Sequence, residues 1–306
     1  MMLSSIPGPD EILQHLIRFD TTNPPGDEKP CIDYLRQLME DAGFEIQLAG
    51  KADNRPNLIA RMQGENQQPP LLMYGHVDVV TTEKQNWRYP PFEGRLVDGN
   101  IWGRGALDMK GGVAMMVHAL LKAKAEGVRP AGDIVFTAVC DEENGGNYGA
   151  RYLVEQHPEL FDGIRYAIGE FGGASMYIGD KTFYPIQVTE KQMCWIKATV
   201  KGPGGHGSMP IRQSAMTRLG DFLYNLDRHR MPVRITPVVR QMIDRIADGL
   251  SPPAGVLLRQ LENPRLTDLI LALLGDRSKP FRPLLRNTVS PTIVRGGDKI
   301  NVIPSE

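Results

Sequence analysis

The chain has 306 residues, 41% hydrophobic and 23% charged, with a formal net charge of -1. These values are ordinary for a soluble globular protein of about two domains. No Lys/Arg-rich run is present, so the electrostatic pattern of a nucleic-acid-binding protein is missing. No apolar run is long enough to span a bilayer, and residues 1–10 lack the features of a secretory signal. We therefore expect neither a nucleic acid nor a membrane as a partner.

Cysteine usage points to a reducing compartment. Cys31, Cys140 and Cys194 are odd in number, far apart in sequence, and lack the short spacing of a zinc knuckle. We expect three buried free thiols and a cytoplasmic location.

Hydrophobic periodicity predicts alternating helices and strands in the first 170 residues. The predicted helices are residues 11–19, a second helix carrying Ile32, Leu35, Leu38 and Met39 and ending near Gly43, residues 112–125 and residues 149–156. The predicted strands are residues 44–48, 57–62, 71–74, 133–140 and 166–169. Residues 81–100 lack a period and are predicted to form a loop. The alternation predicts an α/β fold with a mostly parallel central sheet flanked by helices.

The pattern changes after residue 186, so we predict a first domain at residues 1–186 and a second at 187–306. In the second domain we predict strands at residues 192–200 and 287–294 and a helix at 214–226. A leucine-rich helical insertion is expected at about 235–285. Its apolar side chains are interpreted as core or dimer surface.

Two polar residues follow the strand that ends near Tyr74. In an extended segment, positions two apart point to the same face, so His76 and Asp78 can act together. His76 could bind a metal through one ring nitrogen while Asp78 accepts a hydrogen bond from the other. The alternative is an ordinary turn histidine whose ring is satisfied locally.

Asp108 lies in a glycine-rich segment, residues 101–112, directly before a predicted helix. One interpretation is a helix N-cap, a role that aspartate fills well. The other is a tightly framed metal ligand, because the glycines permit close backbone approach around one carboxylate.

Acidic residues follow two further predicted strands. Asp141, Glu142 and Glu143 come directly after residues 133–140, and Glu170 comes after residues 166–169. Successive acids repel each other unless a cation or water separates them, although a solvated acidic turn is the alternative. In an open α/β sheet, ligands bind beyond the carboxyl ends of the strands. The conjunction of these strand ends predicts a metal centre.

In order and spacing, these motifs resemble the signature of the co-catalytic zinc deacylases and carboxypeptidases. That family includes acetylornithine deacetylase, succinyl-diaminopimelate desuccinylase, aminoacylase and glutamate carboxypeptidase. Residues 202–208 resemble its lid-domain histidine loop, and residues 296–304 resemble its substrate-binding asparagine segment. The resemblance covers essentially the whole chain. It implies a catalytic domain at 1–186 and an inserted two-layer α+β lid and dimerisation domain at 187–306.

The resemblance also implies a role for each matching residue. Asp108 would bridge two divalent metal ions, His76 and Glu170 would complete one site, Glu143 would bind the other, Asp78 would orient His76, and Glu142 would be the general base. His206 would stabilise the oxyanion, reaching a neighbouring subunit in dimeric relatives, although a plain turn histidine is the alternative. Asn301 would bind the substrate. The resemblance further implies a cis peptide bond between Asp108 and Met109.

One departure from the family pattern affects the second metal. Family members supply a late histidine ligand, and no histidine follows His229 here. We therefore expect a fragment, or one half of a split protein, with weak or absent activity. The first metal keeps three ligands, enough for a catalytic site with an open position.

The leading hypothesis is a metal-dependent hydrolase that cleaves an amide bond in a small N-acyl amino acid or short peptide. Zinc is the expected metal, with cobalt or manganese as alternatives. Glu170 is similar to the deacylase and aminopeptidase side of the family, whereas the run Glu170-Phe171-Gly172-Gly173 favours the carboxypeptidase-S-like branch. A homodimer formed through the lid is expected. The alternatives are a non-catalytic binding or dimerisation scaffold and a one-metal hydrolase using His76 and Glu170.

Overall fold

The computed structural model describes residues 6–170, 175–279 and 281–306. Contacts within the chain divide it into two compact units, Met1–Phe171 and Gly172–Glu306. Residues 172–186, which we assigned to the first domain, thus belong to the second unit. The functional roles assigned to the two domains stay predictions, and Phe171, Gly172 and Gly173 of the branch-specific run lie outside the described residues.

Helices and strands alternate in the first unit, as predicted. The helices are α1 (Pro9–Arg18), α2 (Lys29–Asp41), α3 (Lys110–Ala125) and α4 (Ala150–Gln156), with short 3-10 helices at Glu142–Asn144 and Pro158–Phe161. The strands are β1 (Glu45–Gly50), β2 (Pro56–Met62), β3 (Leu71–His76), β4 (Arg95–Val97), β5 (Asn100–Trp102), β6 (Ile134–Val139) and β7 (Tyr166–Ile168). Within the described ranges, no helix is both long enough and apolar enough to cross a bilayer.

The hairpin of β4 and β5 corrects the predicted loop at residues 81–100. Asp98 and Gly99 form its two-residue turn, with φ of 51° and 75°. Positive φ at both turn positions matches the twist of a hairpin, and Asp-Gly is a favoured pair there. The short strands carry too few residues to show an alternating pattern, so only the Asp-Gly pair could have revealed them.

Among the described residues, β1, β2, β6, β3 and β7 form one sheet in that order. β3 pairs in parallel with both β6 and β7, whereas β2 pairs antiparallel with both β1 and β6. Four of the five strands therefore run in one direction, and the sheet is mostly parallel, as predicted. The carboxyl ends of β3, β6 and β7 lie side by side at one edge.

Helices cover both faces of this sheet. Phe136 and Ala138 of β6 point to one face and join the large apolar core with α1, α2 and α3. Val135 and Val139 point to the other face and pack with Leu153 of α4. This alternation follows from the two-residue period of a strand. A strand buried on both faces is apolar along its length, so the polar residues accumulate where it ends.

The second unit is built mainly from helices. Its elements are β8 (Met176–Ile178), β9 (Lys181–Phe183), β10 (Gly205–His206), α5 (Ala215–Arg228), α6 (Pro237–Gly249), α7 (Pro252–Arg259), α8 (Thr267–Leu273) and β11 (Val302–Ile303), with 3-10 helices at Gln260–Glu262, Gly275–Ser278 and Arg282–Leu284. The side-chain hydroxyls of Ser214 and Thr236 cap the amino ends of α5 and α6. The leucine-rich stretch forms a core that includes Leu258, Leu261 and Ile270.

The strands predicted at residues 192–200 and 287–294 are absent from the structure. Both segments are described, and neither has a ladder partner, without which an extended segment is not a strand. Their apolar side chains are exposed, with Trp195 at 82% and Ile293 at 73%. For the same reason the Cys194 thiol is exposed, contrary to prediction, whereas Cys31 and Cys140 are buried free thiols as expected. The two-layer lid stays a prediction.

Candidate metal centre

The parallel strands bring the predicted ligands to one edge of the sheet. His76 is the last residue of β3, Glu142 and Glu143 follow β6, and Glu170 follows β7. Because these strands are adjacent and parallel, their carboxyl ends open into the same crevice. Asp108 reaches this crevice from the loop before α3.

The His76 imidazole lies at the centre of the carboxylates. Its Nε2 is 2.9 Å from Asp108 Oδ1, 3.7 Å from Glu170 Oε2 and 3.9 Å from Glu142 Oε2. One ligand atom from each of His76, Asp108 and Glu170 lies within 4.8 Å of the others, and the same is true of His76, Glu142 and Glu143. The structure therefore brings together the four predicted ligands and the predicted base.

The first of these groups fits a single divalent cation. Zinc lies about 2.0–2.2 Å from imidazole and carboxylate donors, so two of its donors are at most about 4.4 Å apart. The distances of 2.9 and 3.7 Å from His76 Nε2 satisfy this condition. A mixed imidazole and carboxylate set suits zinc and also cobalt or manganese. Glu143 belongs to the second group and Asp108 does not, so a bridging role for Asp108 stays a prediction.

Asp78 holds the backbone of the acidic segment. Its buried carboxylate accepts hydrogen bonds from the backbone amides of Glu142 (3.0 Å) and Glu143 (3.1 Å) and from Asn23 Nδ2 (2.8 Å). His76 Nδ1 is 3.0 Å from the Asp78 carbonyl oxygen and 3.5 Å from its Oδ1. The nearer partner of the ring is thus the Asp78 carbonyl oxygen, so the orienting role of the Asp78 carboxylate stays a prediction. The carboxylate fixes the backbone of the two residues that carry the acidic side chains.

The electrostatics of the crevice favour a cation. Burial lowers the pKa of His76, but the hydrogen bond with Asp78 and the charges of Asp78, Glu142 and Glu170 outweigh it and raise the pKa to about 9. Burial, together with the neighbouring Asp108, raises the pKa of Glu170 to about 7 and also raises that of Glu143. Negative charge is crowded here, and a divalent cation would relieve that repulsion.

Asp108 is not a helix N-cap. Helix α3 begins at Lys110 with Met109 in the capping position, and the Asp108 side chain is 61% exposed. The peptide bond between Asp108 and Met109 is cis, as the resemblance implied. Gly105 adopts a φ of 80°, a conformation that glycine reaches without steric cost. The glycine-rich segment therefore frames a carboxylate that faces the crevice.

Lys110 anchors the start of α3 beneath this loop. Its side chain is fully buried, and Nζ donates to the carbonyl oxygens of Leu16 and Phe19, both at 2.9 Å. These carbonyls lie at the carboxyl end of α1, where the last carbonyls have no i+4 amide of the helix to accept from. The Leu16 carbonyl also accepts from the Phe19 amide, at 3.3 Å. Burial lowers the pKa of this ammonium group. Sequence analysis did not single out Lys110, because a lysine near a helix start is usually a surface residue.

The two substrate-binding candidates lie together in the second unit. His206 in β10 pairs with Val302 in β11, and the Gly207 amide donates to the Asn301 carbonyl oxygen at 2.8 Å. His206 Nδ1 is 2.8 Å from Ser208 Oγ, which is also the contact expected of a turn histidine. Both side chains are exposed. Their functional roles stay predictions.

Comparisons with known proteins agree with the resemblance. Residues 72–255, more than half of the chain, match the family described as peptidase family M20/M25/M40. The chain is 30% identical to a probable carboxypeptidase S-like 2 from Dictyostelium discoideum, with 78% of this chain and 46% of that protein covered. It is 29% identical to a probable succinyl-diaminopimelate desuccinylase from Staphylococcus epidermidis, with 69% and 49% covered.

One solved structure extends the likeness to the fold. An M20 family metallo-carboxypeptidase from Sulfolobus solfataricus superposes with a TM-score of 0.55 at 16% identity, with 96% of this chain and 68% of that chain covered. The chain spans about half the length of the curated relatives that it matches. The profile match, the relatives and the fold agree, and the chain belongs to peptidase family M20/M25/M40.

Proposed function

We propose that this chain carries the metal centre of a hydrolase that cleaves an amide bond in a small N-acyl amino acid or short peptide. The observation that carries the proposal is the convergence of ligand atoms of His76, Asp108 and Glu170 within 4.8 Å of one another. Family membership supports the reaction class. The proposal extends to two divalent cations, with zinc preferred over cobalt and manganese.

In this proposal His76, Asp108 and Glu170 would hold one cation, and Glu143 together with Asp108 would hold the other. Bound cations would polarise the amide carbonyl and lower the pKa of a water molecule. Asp78 keeps the His76 ring and the backbone of Glu143 in place through its contacts with both. Such outer partners orient ligands and raise their basicity.

Glu142 is the proposed general base. Its backbone is fixed by Asp78, while its side chain is 48% exposed and its Oε2 lies 3.9 Å from His76 Nε2. It is thus placed beside the ligands with access to incoming water. As the water oxygen attacks the carbonyl carbon, Glu142 accepts the proton and then transfers it to the departing nitrogen. The C–N bond breaks, and the products are an amine, which carries the transferred proton, and a carboxylic acid, which keeps the other proton of the water.

The substrate proposal draws on the second unit and on the relatives. The relatives are named a probable carboxypeptidase S-like protein and a probable succinyl-diaminopimelate desuccinylase. We propose that Asn301 contacts the free carboxylate or carbonyl of the substrate and that His206 donates to the developing oxyanion. The second unit would form the homodimer. The buried free thiols Cys31 and Cys140 support a cytoplasmic location.

The test is hydrolysis of a panel of N-acyl amino acids and dipeptides with added zinc, cobalt or manganese. Glu142→Gln should retain metal and lose at least about 100-fold in turnover, because general-base catalysis contributes about that much or more. Glu126→Gln, a substitution of an exposed residue at the end of α3, is the matched control and should leave metal binding and turnover unchanged. Activity that survives Glu142→Gln would disprove the assignment of the base.

A non-catalytic binding or dimerisation scaffold is the second candidate. The observation that favours it is that the two ligand groups share His76, so the described residues offer one complete set of three donors. A wild-type chain that binds one metal and hydrolyses none of the panel would support this candidate. Turnover with one metal bound per chain would instead support the one-metal hydrolase.

A further inference from the structure

A buried ion pair lies behind the acidic segment. Arg55 donates from Nε and Nη2 to the two carboxylate oxygens of Glu28, at 2.9 and 2.6 Å, and Nη2 is also 3.2 Å from Asp141 Oδ1. The Arg55 side chain is 7% exposed, and those of Glu28 and Asp141 are almost fully buried. The guanidinium also stacks over the Tyr148 ring. One cation thus serves two buried carboxylates.

Asn23 links this ion pair to the metal centre. Its Nδ2 donates to Asp141 Oδ1 at 3.0 Å and to Asp78 Oδ2 at 2.8 Å, so its two hydrogens bridge two buried carboxylates. Asp78 in turn holds the Glu142 and Glu143 amides. A continuous chain of charged and polar contacts therefore runs from Glu28 to the segment that carries the proposed base.

Asp141 also joins the two ends of the loop at residues 141–148, which these contacts support. Its Oδ2 accepts from the Tyr148 amide at 3.0 Å, and its carbonyl oxygen accepts from the Gly146 amide at 2.6 Å. Its own φ is 66°, a left-handed conformation uncommon for residues other than glycine. Residues held in such conformations persist when their surroundings over-determine them. The contacts of Asp141 with Arg55, Asn23 and Tyr148 provide that constraint.

The position of the positive charge matters as much as its presence. A cation placed directly among His76, Asp108 and Glu170 would repel a metal ion. Arg55 instead contacts carboxylates that are not ligands in the proposed site, so it offsets their mutual repulsion and leaves the ligands available. Gly26, with a φ of 81°, permits this approach, because a Cβ there would collide with the guanidinium.

We propose that Arg55, paired with Glu28, is a positioning residue that holds the Asp141–Tyr148 loop, and through it Glu142 and Glu143, in the geometry that binds metal and activates water. This inference rests on the proposed function. It also makes a claim about the metal-free protein, namely that the charge of Arg55 restrains the loop.

The test compares the double variant Glu28→Gln/Arg55→Gln with a matched pair elsewhere in the sheet. The double variant removes both partners of the Glu28–Arg55 pair, because deleting one alone would leave an uncompensated buried charge. Asp141 loses its cation and keeps its hydrogen bonds from Asn23 Nδ2 and the Tyr148 amide. Arg61→Gln/Asp133→Asn is the control. This ion pair (2.7 Å) links the carboxyl end of β2 to the amino end of β6, whereas Asp141 follows the carboxyl end of β6. Arg55→Lys keeps the charge and loses the bidentate geometry.

Hydrogen exchange of the metal-free chain is the first readout. In the double variant, amides in residues 141–148 should exchange about tenfold faster while those of β6 stay as in the wild type, and the control pair should leave residues 141–148 unchanged. Cobalt binding, followed by its visible absorption, is the second readout. Affinity should fall about 10- to 100-fold, as is typical when outer partners of ligands are removed. Arg55→Lys should fall between the wild type and the double variant.

The inference is overturned if the amides of residues 141–148 exchange at the same rate in the double variant as in the wild type. It is also overturned if the cobalt affinity and spectrum are unchanged. A wild-type chain that binds no cobalt would instead count against the proposed function. The exchange measurement would still decide whether Arg55 positions the loop.

Discussion

Asp78→Asn removes one charge and one acceptor oxygen from the buried side chain beneath the acidic segment. The wild-type carboxylate accepts three N–H groups, from Asn23, Glu142 and Glu143. Asparagine has the same shape, but its single oxygen cannot replace both carboxylate oxygens, and its NH2 group must face at least one of these donors. The variant therefore isolates the hydrogen-bonding role of Asp78 from its packing.

The expected loss of stability follows from these contacts. A hydrogen bond to a charged group contributes about 1.5–3 kcal/mol, and a buried donor left unsatisfied costs about 1–3 kcal/mol. One lost bond, together with the weakening of the remaining two, gives about 3–5 kcal/mol at pH 7. Metal affinity should also fall, by about 10- to 100-fold.

Urea denaturation with and without zinc, and competition with a fluorescent chelator, measure these two effects. Burial raises the pKa of Asp78, but the neighbouring His76 ring and the hydrogen bonds from Asn23 and the Glu142 amide outweigh it and lower the pKa. A depressed carboxylate pKa stabilises the fold above the unfolded value of about 3.9, and this contribution is lost as the pH falls through the folded value. The difference between wild type and variant should therefore shrink in acid.

Asp133→Asn is the control for this prediction. Asp133 accepts hydrogen bonds from Arg61 and the Gly64 amide, and it lies directly before β6, at the other end of that strand from Glu142 and Glu143. Its substitution should leave metal affinity unchanged. The prediction is wrong if Asp78→Asn lowers the free energy of unfolding by less than about 1 kcal/mol at pH 7. It is also wrong if Asp78→Asn and Asp133→Asn weaken zinc binding equally.

Two further predictions concern protons and packing. The pKa values of His76 and Glu170 are raised to about 9 and about 7. Binding of the cation held by His76, Asp108 and Glu170 should therefore release about two protons at pH 6 and about one at pH 8. Metal affinity should rise from pH 6 to pH 8 for the same reason. Calorimetry in buffers of different ionisation enthalpy measures the release, and a pH-independent affinity would contradict the ligand assignment. Lys110→Met should cost about 2–4 kcal/mol in urea denaturation, because the Leu16 and Phe19 carbonyls lose a charged donor. A loss below about 0.5 kcal/mol would show that Nζ contributes little.

Sequence analysis predicted the part of the site that strand order determines. His76 ends β3, and Glu143 and Glu170 come soon after β6 and β7, so parallel neighbouring strands carry these residues to a common edge. Asp108 needed the glycine-rich segment and the family resemblance, because an aspartate before a helix equally predicts an N-cap.

The supporting contacts could not be predicted in the same way. Arg55 and Asn23 meet Asp141 across 86 and 118 positions of sequence, and no local period encodes such a contact. The Thr-Thr-Asn-Pro-Pro-Gly run at residues 21–26 marks a break in helical periodicity, but nothing local in it indicates that Asn23 contacts Asp141. The prediction of strands at 192–200 and 287–294 was wrong for a related reason, because strand pairing is also a contact between segments distant in sequence. Apolar alternation marks a segment able to pair, but pairing depends on a partner elsewhere.

The most direct test of the metal centre is a crystal structure of the zinc-loaded chain with anomalous scattering measured at the zinc edge. We predict an anomalous peak about 2.0–2.2 Å from His76 Nε2 and from carboxylate oxygens of Asp108 and Glu170, with a second peak beside Glu143. A zinc ion bound elsewhere, with these three side chains outside ligating distance of it, would contradict the proposed metal site.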